Sequence, residues 1–546
     1  MRNCLFALLA LLNWLPFVQS AEPTLVAHWP LESDTLELIS NLKSEPEAVQ
    51  FSNPLSAAQF DGRTSIIRVQ DASAQLNLGS QPFTISVQVR ADTSTEDSPG
   101  DILSLFDPAT RIGLQLGIAT QTGVTNAQPN SRQLHFSIDQ GRIESAFTDH
   151  GKLGNAVYIF SLCVHQGRLY ASTCHPGEME SGRVYRFEEG DRWTDLGSPD
   201  KANAISAMAV FEGQLYVASS KYRLAGSSLS ESQNPHLGGG IYRLGPDDKW
   251  IACGRLSAET EAVGSLVVFK DHLYAGSLYK PAGFFRYDGQ ETWTALSTPN
   301  GKRVEAMTVF NGGLFASCYD EGSVFRFDGQ AWEQVGAIPM ATQTYGFAVH
   351  RAQLYVSEWP QAHVYRYLGG TRWEDTGRLG NELEAMPLLV HNGKLYSGSL
   401  PLGEVYRFDE TAWTRVDQVD RTPDVKYRRA WSMAQYRGRL FVGTLPSGRV
   451  VSIEAGRNAT WDLEFPTGWH HVAAVRDTER LRLYVDGKQV AQSAAFDSRQ
   501  YDLTTTAGLQ IGLGAHDHFD GAIKNLRIYR GALPVESISE LAGESP

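Results

Sequence analysis

The sequence predicts an all-β fold in two parts: a β-sandwich built from the two chain ends, with a seven-bladed β-propeller inserted between them. Three observations carry this. A unit with four short runs of β-branched and aromatic residues recurs through the middle of the chain at a period of roughly 42 residues. The stretches on either side sum to roughly 210 residues, enough for one β-sandwich, and neither alone looks like a whole one. The last repeat lacks its outermost strand, and a matching strand precedes the first.

The bulk numbers set the limits. The chain has 546 residues, 42% of them hydrophobic and 20% charged, an ordinary globular composition too long for a single core. The formal net charge of −13 argues against nucleic-acid partners, which need a dense basic surface. The opening "MRNCLFALLALLNWLPFVQSAEP" places Arg2 before an apolar run from Leu5 to Leu15, with Val18 and Ser20 at the −3 and −1 places. Residues 1–21 therefore read as a secretory signal cleaved after Ser20 or Ala21. No other segment reaches membrane-spanning length, so the expectation is an exported protein, secreted or periplasmic, with no membrane span. Cys163, Cys174, Cys253 and Cys318 are too few for a disulfide framework in so large a chain. Buried thiols are the simpler reading, and the pairing stays open.

The repeat fixes the middle. Its first half reads "HQGRLYAST", "FEGQLYVAS", "FKDHLYAGS", "FNGGLFASC", "HRAQLYVSE", "HNGKLYSGS" and "YRGRLFVGT". The aligned Leu169, Leu215, Leu273, Leu314, Leu354, Leu395 and Leu440 stand 46, 58, 41, 40, 41 and 45 residues apart. The second half runs "GRVYRFEEGDRWTDLG" in the first copy and "GSVFRFDGQAWEQVG" in the fourth. Four antiparallel strands per unit at this period predict propeller blades. The seventh copy stops after "GRVVSIE", whereas "SAFTDHGKLG" at 145–154 matches "DRWTDLGSPD" at 191–200, with Phe147 in the Trp place. An N-terminal strand completing the last blade closes the ring and removes exposed edges. That assigns the propeller to 145–456.

The flanks, 22–144 and 457–546, carry "LVAHWPLESD", "AAQFDGRTSIIRV" and "FTISVQVRA" before the repeats. After them come "GWHHVAAVRDTERLRLYVDGKQVA" and "FDGAIKNLRIYRGAL". The alternation around Asp486-Gly487 reads as a hairpin. In family order these segments resemble the laminin-G-like, concanavalin A-like jelly-roll family. The resemblance implies one jelly-roll β-sandwich, interrupted in a surface loop where insertion is tolerated. The middle is similar, more loosely, to Kelch propellers, without most of their double glycines.

Several patterns are candidate sites. Six Arg of the third strands (Arg186, Arg243, Arg286, Arg326, Arg366, Arg407) stand six or seven residues before Trp193, Trp250, Trp293, Trp332, Trp373 and Trp413. This spacing predicts cross-strand cation–π pairs on the outer strands, a scaffold feature. Ligand chemistry is expected instead where the repeats diverge, in the loops and at the entries to the innermost strands. Glu305, Asp320, Tyr345, Glu358, Trp359, Arg429 and Trp431, with Tyr279 and Glu384 beside them, would line a funnel of aromatic platforms and paired polar groups, which suits sugars. His470-His471 are adjacent strand residues and point to opposite faces. In "AHDHFDG" (515–521), Asp517 and Asp520 are candidate calcium ligands, as the jelly-roll resemblance implies. His516 and His518 suit a transition metal better, and Lys524 replaces a carboxylate often found in the family. Asn458-Ala459-Thr460 is a glycosylation triplet.

These features favour a non-catalytic extracellular recognition protein. It would bind a glycan or glycoprotein through the jelly roll and a second ligand on the propeller, with no cofactor required beyond the possible calcium. One alternative is a polysaccharide-degrading enzyme, a hydrolase or lyase, with its site in the funnel. The other is a cell-surface interaction or structural component. Fold analogy alone does not choose among them.

Overall fold

Runs of β-branched and aromatic residues closed by Gly, Asn or Asp turns favour extended, paired backbone, and nearly every ordered element here is a strand. The computed structural model describes residues 22–32, 42–52, 56–70, 72–91, 97–143 and 146–544. The signal reading of 1–21 and the boundary placed at 144/145 lie outside the described residues. No described helix is long and apolar enough to cross a membrane.

The chain ends form two facing antiparallel sheets, and each sheet draws strands from both ends. In one, Phe83–Ala91 lies between Gly468–Arg476 and Asp520–Arg530. In the other, Gly100–Asp107, Ile112–Gln121 and Asn130–Gln140 are followed by Arg457–Trp461. Val87, Val89, Leu116, Phe136, Val472 and Ile523 meet in the single core between them. Neither flank can bury these inward faces alone, so the sandwich exists only when both are present. His470 and His471 do take opposite faces. His471 is buried against the Ser86 hydroxyl at 2.8 Å, while the His470 ring meets Asp486 at 2.8 Å. Asn458 is buried in its strand and donates to the Glu454 carbonyl, which makes it a poor glycosylation acceptor.

Between the flanks stand five separate four-stranded antiparallel sheets and one eight-stranded sheet. The eight-stranded sheet consists of two four-stranded units that touch through the single pair Cys174–Ala204. One four-stranded sheet takes its outer strand, Thr148–Lys152, from before the first repeat, pairing it with Arg449–Ile453. The insertion leaves the sandwich after Asn130–Gln140 and returns at Arg457–Trp461, two strands that pair directly with Ile138 opposite Arg457. Entry and exit are thus side by side, and the inserted body does not pry the sandwich apart. Cys163, Cys174, Cys253 and Cys318, the cysteines among the described residues, are buried free thiols.

The Arg–Trp expectation is corrected by the register. Trp193 lies opposite Phe187, not Arg186, and the same offset sets Trp293 on Tyr287, Trp332 on Phe327, Trp373 on Tyr367 and Trp413 on Phe408. The ring centroids are 4.9–5.1 Å apart, aromatic pairs worth roughly 0.5–1.5 kcal/mol each beyond their buried area. Among the described residues, none of the six Arg lies over its Trp. Arg186, Arg286 and Arg407 pair instead with Asp248, Asp288 and Asp409 at 2.7–2.8 Å. Each of five indoles also reaches the neighbouring unit. Trp193, Trp250, Trp293, Trp332 and Trp373 donate to the carbonyls of His150, Leu196, Cys253, Ser297 and Val335 at 2.8–3.0 Å. Trp413 is the exception: its buried N–H has no partner.

The sandwich also fills the propeller axis. The loop joining Ile112–Gln121 to Asn130–Gln140 is buried, and together with the strand-end residues Gln121 and Asn130 it bonds to every innermost strand. Pro129 O accepts from Val164, Met208 O from Gln128, and Gly123 O from Phe347, at 2.8–3.1 Å. The Thr122 and Thr308 hydroxyls meet at 2.6 Å, and Gln121 Oε1 accepts from Val390 N–H at 3.2 Å. Asn126 donates to Gly264 O and accepts from the Trp431 indole at 3.0 Å, while Asn130 exchanges two bonds with Gln435.

Two predictions follow from these contacts. Trp293→Phe keeps the ring stack but loses its interblade bond and should cost about 1 kcal/mol in urea unfolding, whereas Trp413→Phe removes an unpaired donor and should be neutral or stabilising. Asn126→Ala strips partners from two buried groups at once and should cost on the order of 2 kcal/mol by the same measurement.

Candidate functional site

The innermost strands share a local irregularity that builds the site. In each, the pairing register with the second strand shifts near the start: at Ile159/Ser161, Val304/Met307, Thr344/Phe347 and Ala430/Ser432, for example. Such bulges re-aim side chains, and the residues inside these four, Phe160, Glu305, Tyr345 and Trp431, line one cavity of about 440 Å³. Trp359 and Arg429 line it too. The irregular loop after Gln214–Ser220 contributes Tyr222, Arg223 and Glu231. There Glu231 accepts the Leu224 and Ala225 N–H groups at 3.2 and 3.1 Å and so fixes the short turn Leu224–Ser227.

The walls are aromatic. The Trp431 ring stands 5.5 Å from Tyr158 and 6.0 Å from Tyr345, and Phe160 packs edge-on against Tyr222 at 4.8 Å. The polar groups among them are buried to an unusual degree. Glu305 is 1% exposed, and Glu384 and Arg429 are each 6% exposed. Burial pushes the Glu305 carboxyl up to about 8; Arg303 and Arg429 oppose the rise and Glu384 adds to it. Burial likewise raises Glu384 against the pull of Arg429, whose guanidinium is 3.7 Å away. For Arg429 burial favours the neutral form, but Glu384 and the tyrosines Tyr222, Tyr158 and Tyr345 outweigh it and hold the charge. Arg429 also donates to Ser227, itself 2.7 Å from the Tyr222 hydroxyl. Glu305 Oε2, Glu384 Oε2 and Arg429 Nε are buried without a hydrogen-bond partner.

Of the seven residues expected at the funnel, Glu305, Tyr345, Trp359, Arg429 and Trp431 thus share one cavity. Asp320 stands beside it, clamped by the Arg303 guanidinium, which holds its carboxyl below the usual range. Glu358 faces away from Trp359, as neighbours on a strand do, and accepts the His363 N–H at 2.7 Å to shape the following turn. Sequence reading missed Phe160, Tyr222, Arg223, Arg303, Tyr319 and Gln343. Phe160 occupies in the first copy the bulge that Trp431 occupies in the seventh, the signal that could have found it. On the sandwich, Asp517 is fully enclosed. Burial, with Asp97, Asp101 and Asp520 nearby, drives its carboxyl well above the usual range, and burial raises Asp97 to about 6.

The geometry can be set beside known proteins. The model of the concanavalin A-like lectin/glucanases superfamily (Laminin_G_3) matches residues 411–539. Residues 411–539 are thus similar to a concanavalin A-like domain. Within the match, only Arg457–Trp461 and the strands after it pair into the sandwich sheets; the part before them lies in propeller strands. No curated protein matches the chain. Among solved structures it is similar to a virginiamycin B lyase from Staphylococcus aureus, at 8% identity and a TM-score of 0.47, covering 57% of this chain and 99% of that one. It is similar to YCF48 bound to D1 peptide at 9% and 0.41, over 58% and 98%. It is also similar to the WD40 β-propeller domain of Doa1 at 11% and 0.41, over 57% and 97%.

A raised carboxyl binds its proton more tightly folded than unfolded, so its contribution to stability is complete below the unfolded value near 4.5 and is lost as pH rises through about 8. Urea unfolding between pH 5 and 9 should therefore show wild-type stability falling by up to a few kcal/mol. Glu305→Gln, uncharged throughout, should flatten that fall.

Proposed function

We propose that the protein is an exported, non-catalytic glycan-recognition protein that holds a sugar unit in the axial cavity of a seven-bladed propeller. The concanavalin A-like sandwich serves as its mount and second carbohydrate-facing module. The observation that carries this reading is the set of buried atoms without a hydrogen-bond partner in the aromatic-walled cavity: Glu305 Oε2, Glu384 Oε2 and Arg429 Nε. Sugar hydroxyls can exchange hydrogen bonds with a protonated carboxyl such as that of Glu305, donate to an ionised one and accept from guanidinium, while the C–H faces of the ring lie against aromatic side chains. A cavity of this size falls in the range of ligand pockets. Reading the eight-stranded sheet as two blades joined at Cys174–Ala204, beside the five separate sheets, gives the count of seven. Export rests on the sequence of residues 1–21. Calcium at Asp517 and Asp520 is kept in this reading on the jelly-roll resemblance, with a buried Asp517 carboxyl and Asp97 nearby.

A second reading has one specific support. A carboxyl held near 8, as Glu305 is, stays protonated at neutral pH and can give a proton to a glycosidic oxygen. One experiment separates the two. The full chain is passed over a panel of immobilised neutral and acidic extracellular polysaccharides, and the eluates are assayed for new reducing or unsaturated ends. Recognition predicts retention without new ends, weakened about tenfold or more (1.4 kcal/mol) by Glu305→Ala and Trp359→Ala but kept by Glu305→Gln. New ends abolished by Glu305→Gln favour the enzyme. Neither retention nor cleavage removes glycan as the ligand and favours a protein-interaction role.

A further inference from the structure

A second cluster lies away from the cavity, on the sandwich sheet that faces the propeller. Asp101, Gly117 and His135 stand opposite one another across three adjacent strands, Gly100–Asp107, Ile112–Gln121 and Asn130–Gln140. His516, from the loop before Asp520–Arg530, closes over them. All three polar side chains are buried, at 0%, 4% and 5% exposure, and one ligand atom from each lies within 4.8 Å of the others. Asp101 Oδ1 is 3.2 Å from His516 Nδ1 and 3.6 Å from His135 Nε2.

We propose that Asp101, His135 and His516 form a binding site for a divalent transition-metal ion of the zinc type.

An aspartate–histidine hydrogen bond alone does not explain the arrangement. It would occupy His516 Nδ1, yet His135 Nε2, 3.6 Å from Asp101 Oδ1, and His516 Nε2 are both buried with no hydrogen-bond partner. Burial without a hydrogen bond is unfavourable for an imidazole nitrogen, and a bound cation is the partner such nitrogens take. Space for one is kept open by two glycines. A Cβ on Gly117 would stand 2.6 Å from Asp101 Oδ1 and 2.9 Å from His135 Nε2, and one on Gly514 would stand 2.7 Å from the Asp101 carboxyl carbon. Two imidazoles and one carboxylate are a donor set for zinc and its neighbours, whereas calcium takes oxygen.

The position gives the ion a mechanical role. The backbone of Ala515 and His516 accepts from His350 Nδ1 and from the N–H groups of Arg351 and Ala352 on the propeller, at 2.8–2.9 Å. A metal joining His516 to Asp101 and His135 would clamp that docking loop to the sandwich sheet.

The test uses the full chain, stripped with chelator and then titrated separately with Zn²⁺, Co²⁺ and Ca²⁺. The expected result is retention of about one zinc per chain after dialysis, visible Co²⁺ absorption bands of mixed nitrogen and oxygen ligation, and a rise in Tm of several degrees with zinc. His135→Gln and His516→Gln should each weaken zinc binding by tenfold or more. The Co²⁺ spectrum is read on the wild type, so it decides the matter even where a variant folds poorly. Absence of Co²⁺ bands and of retained zinc in the wild type, a response to Ca²⁺ alone, or equal zinc binding by both folded His variants would overturn the site.

Discussion

The interaction on which the rest depends is the burial of one sandwich loop, Thr122 to Pro129, in the propeller axis. Irregular backbone is seldom buried, because its N–H and C=O groups need partners. Here the innermost strands supply them: Gly123, Gln128 and Pro129 bond through their backbone to Phe347, Met208 and Val164. The side chains of Gln121, Thr122, Asn126 and Asn130 satisfy the remaining strands in turn. The loop can do this only because the chain leaves and re-enters the sandwich between paired strands, which holds the propeller at the loop's own end of the sheet.

That anchoring reaches the cavity through one residue. Trp431 forms part of the cavity wall and gives its indole proton to Asn126 of the loop. Its ring then sets Tyr158 and Tyr345 by edge-to-face contact. The aromatic wall is therefore fixed before any ligand arrives, which lowers the ordering cost of binding. The polar groups are fixed by the opposite means. Glu305, Glu384 and Arg429 are desolvated without full pairing, a cost that a well-packed protein avoids unless the groups have another use.

How much of this the sequence disclosed follows from the kind of signal each feature leaves. The propeller was legible because its strands repeat, and the sandwich because both flanks carried halves of one pattern. Glu305, Tyr345 and Trp431 were legible as departures from the repeat at inner-strand entries. The Arg–Trp pairing was misread by one residue: spacing across a turn shows that two residues are close, but the turn's exact register decides which of them meet. Tyr222 and Glu231 sit in a loop whose length was conspicuous but whose path was not encoded in any period. Asp101 and His135 left no signal at all, because they are ordinary alternating strand residues. Only the pairing of three strands, with Gly117 between them, brings the two together.

The shared axis also constrains how function can be assigned to either half. Removing the propeller would expose Val124, Ala127 and the polar side chains of the loop, all of them buried in the whole chain. Removing the sandwich would leave the inner strands facing an empty channel and Trp431 without Asn126. Each part alone would present a surface that the intact protein never shows to solvent, including apolar area of the sort that draws non-specific partners. A glycan retained by an isolated half would therefore say little about the protein. Any proposed ligand therefore belongs on the interlocked pair, in which the axial loop ties the sandwich to the propeller.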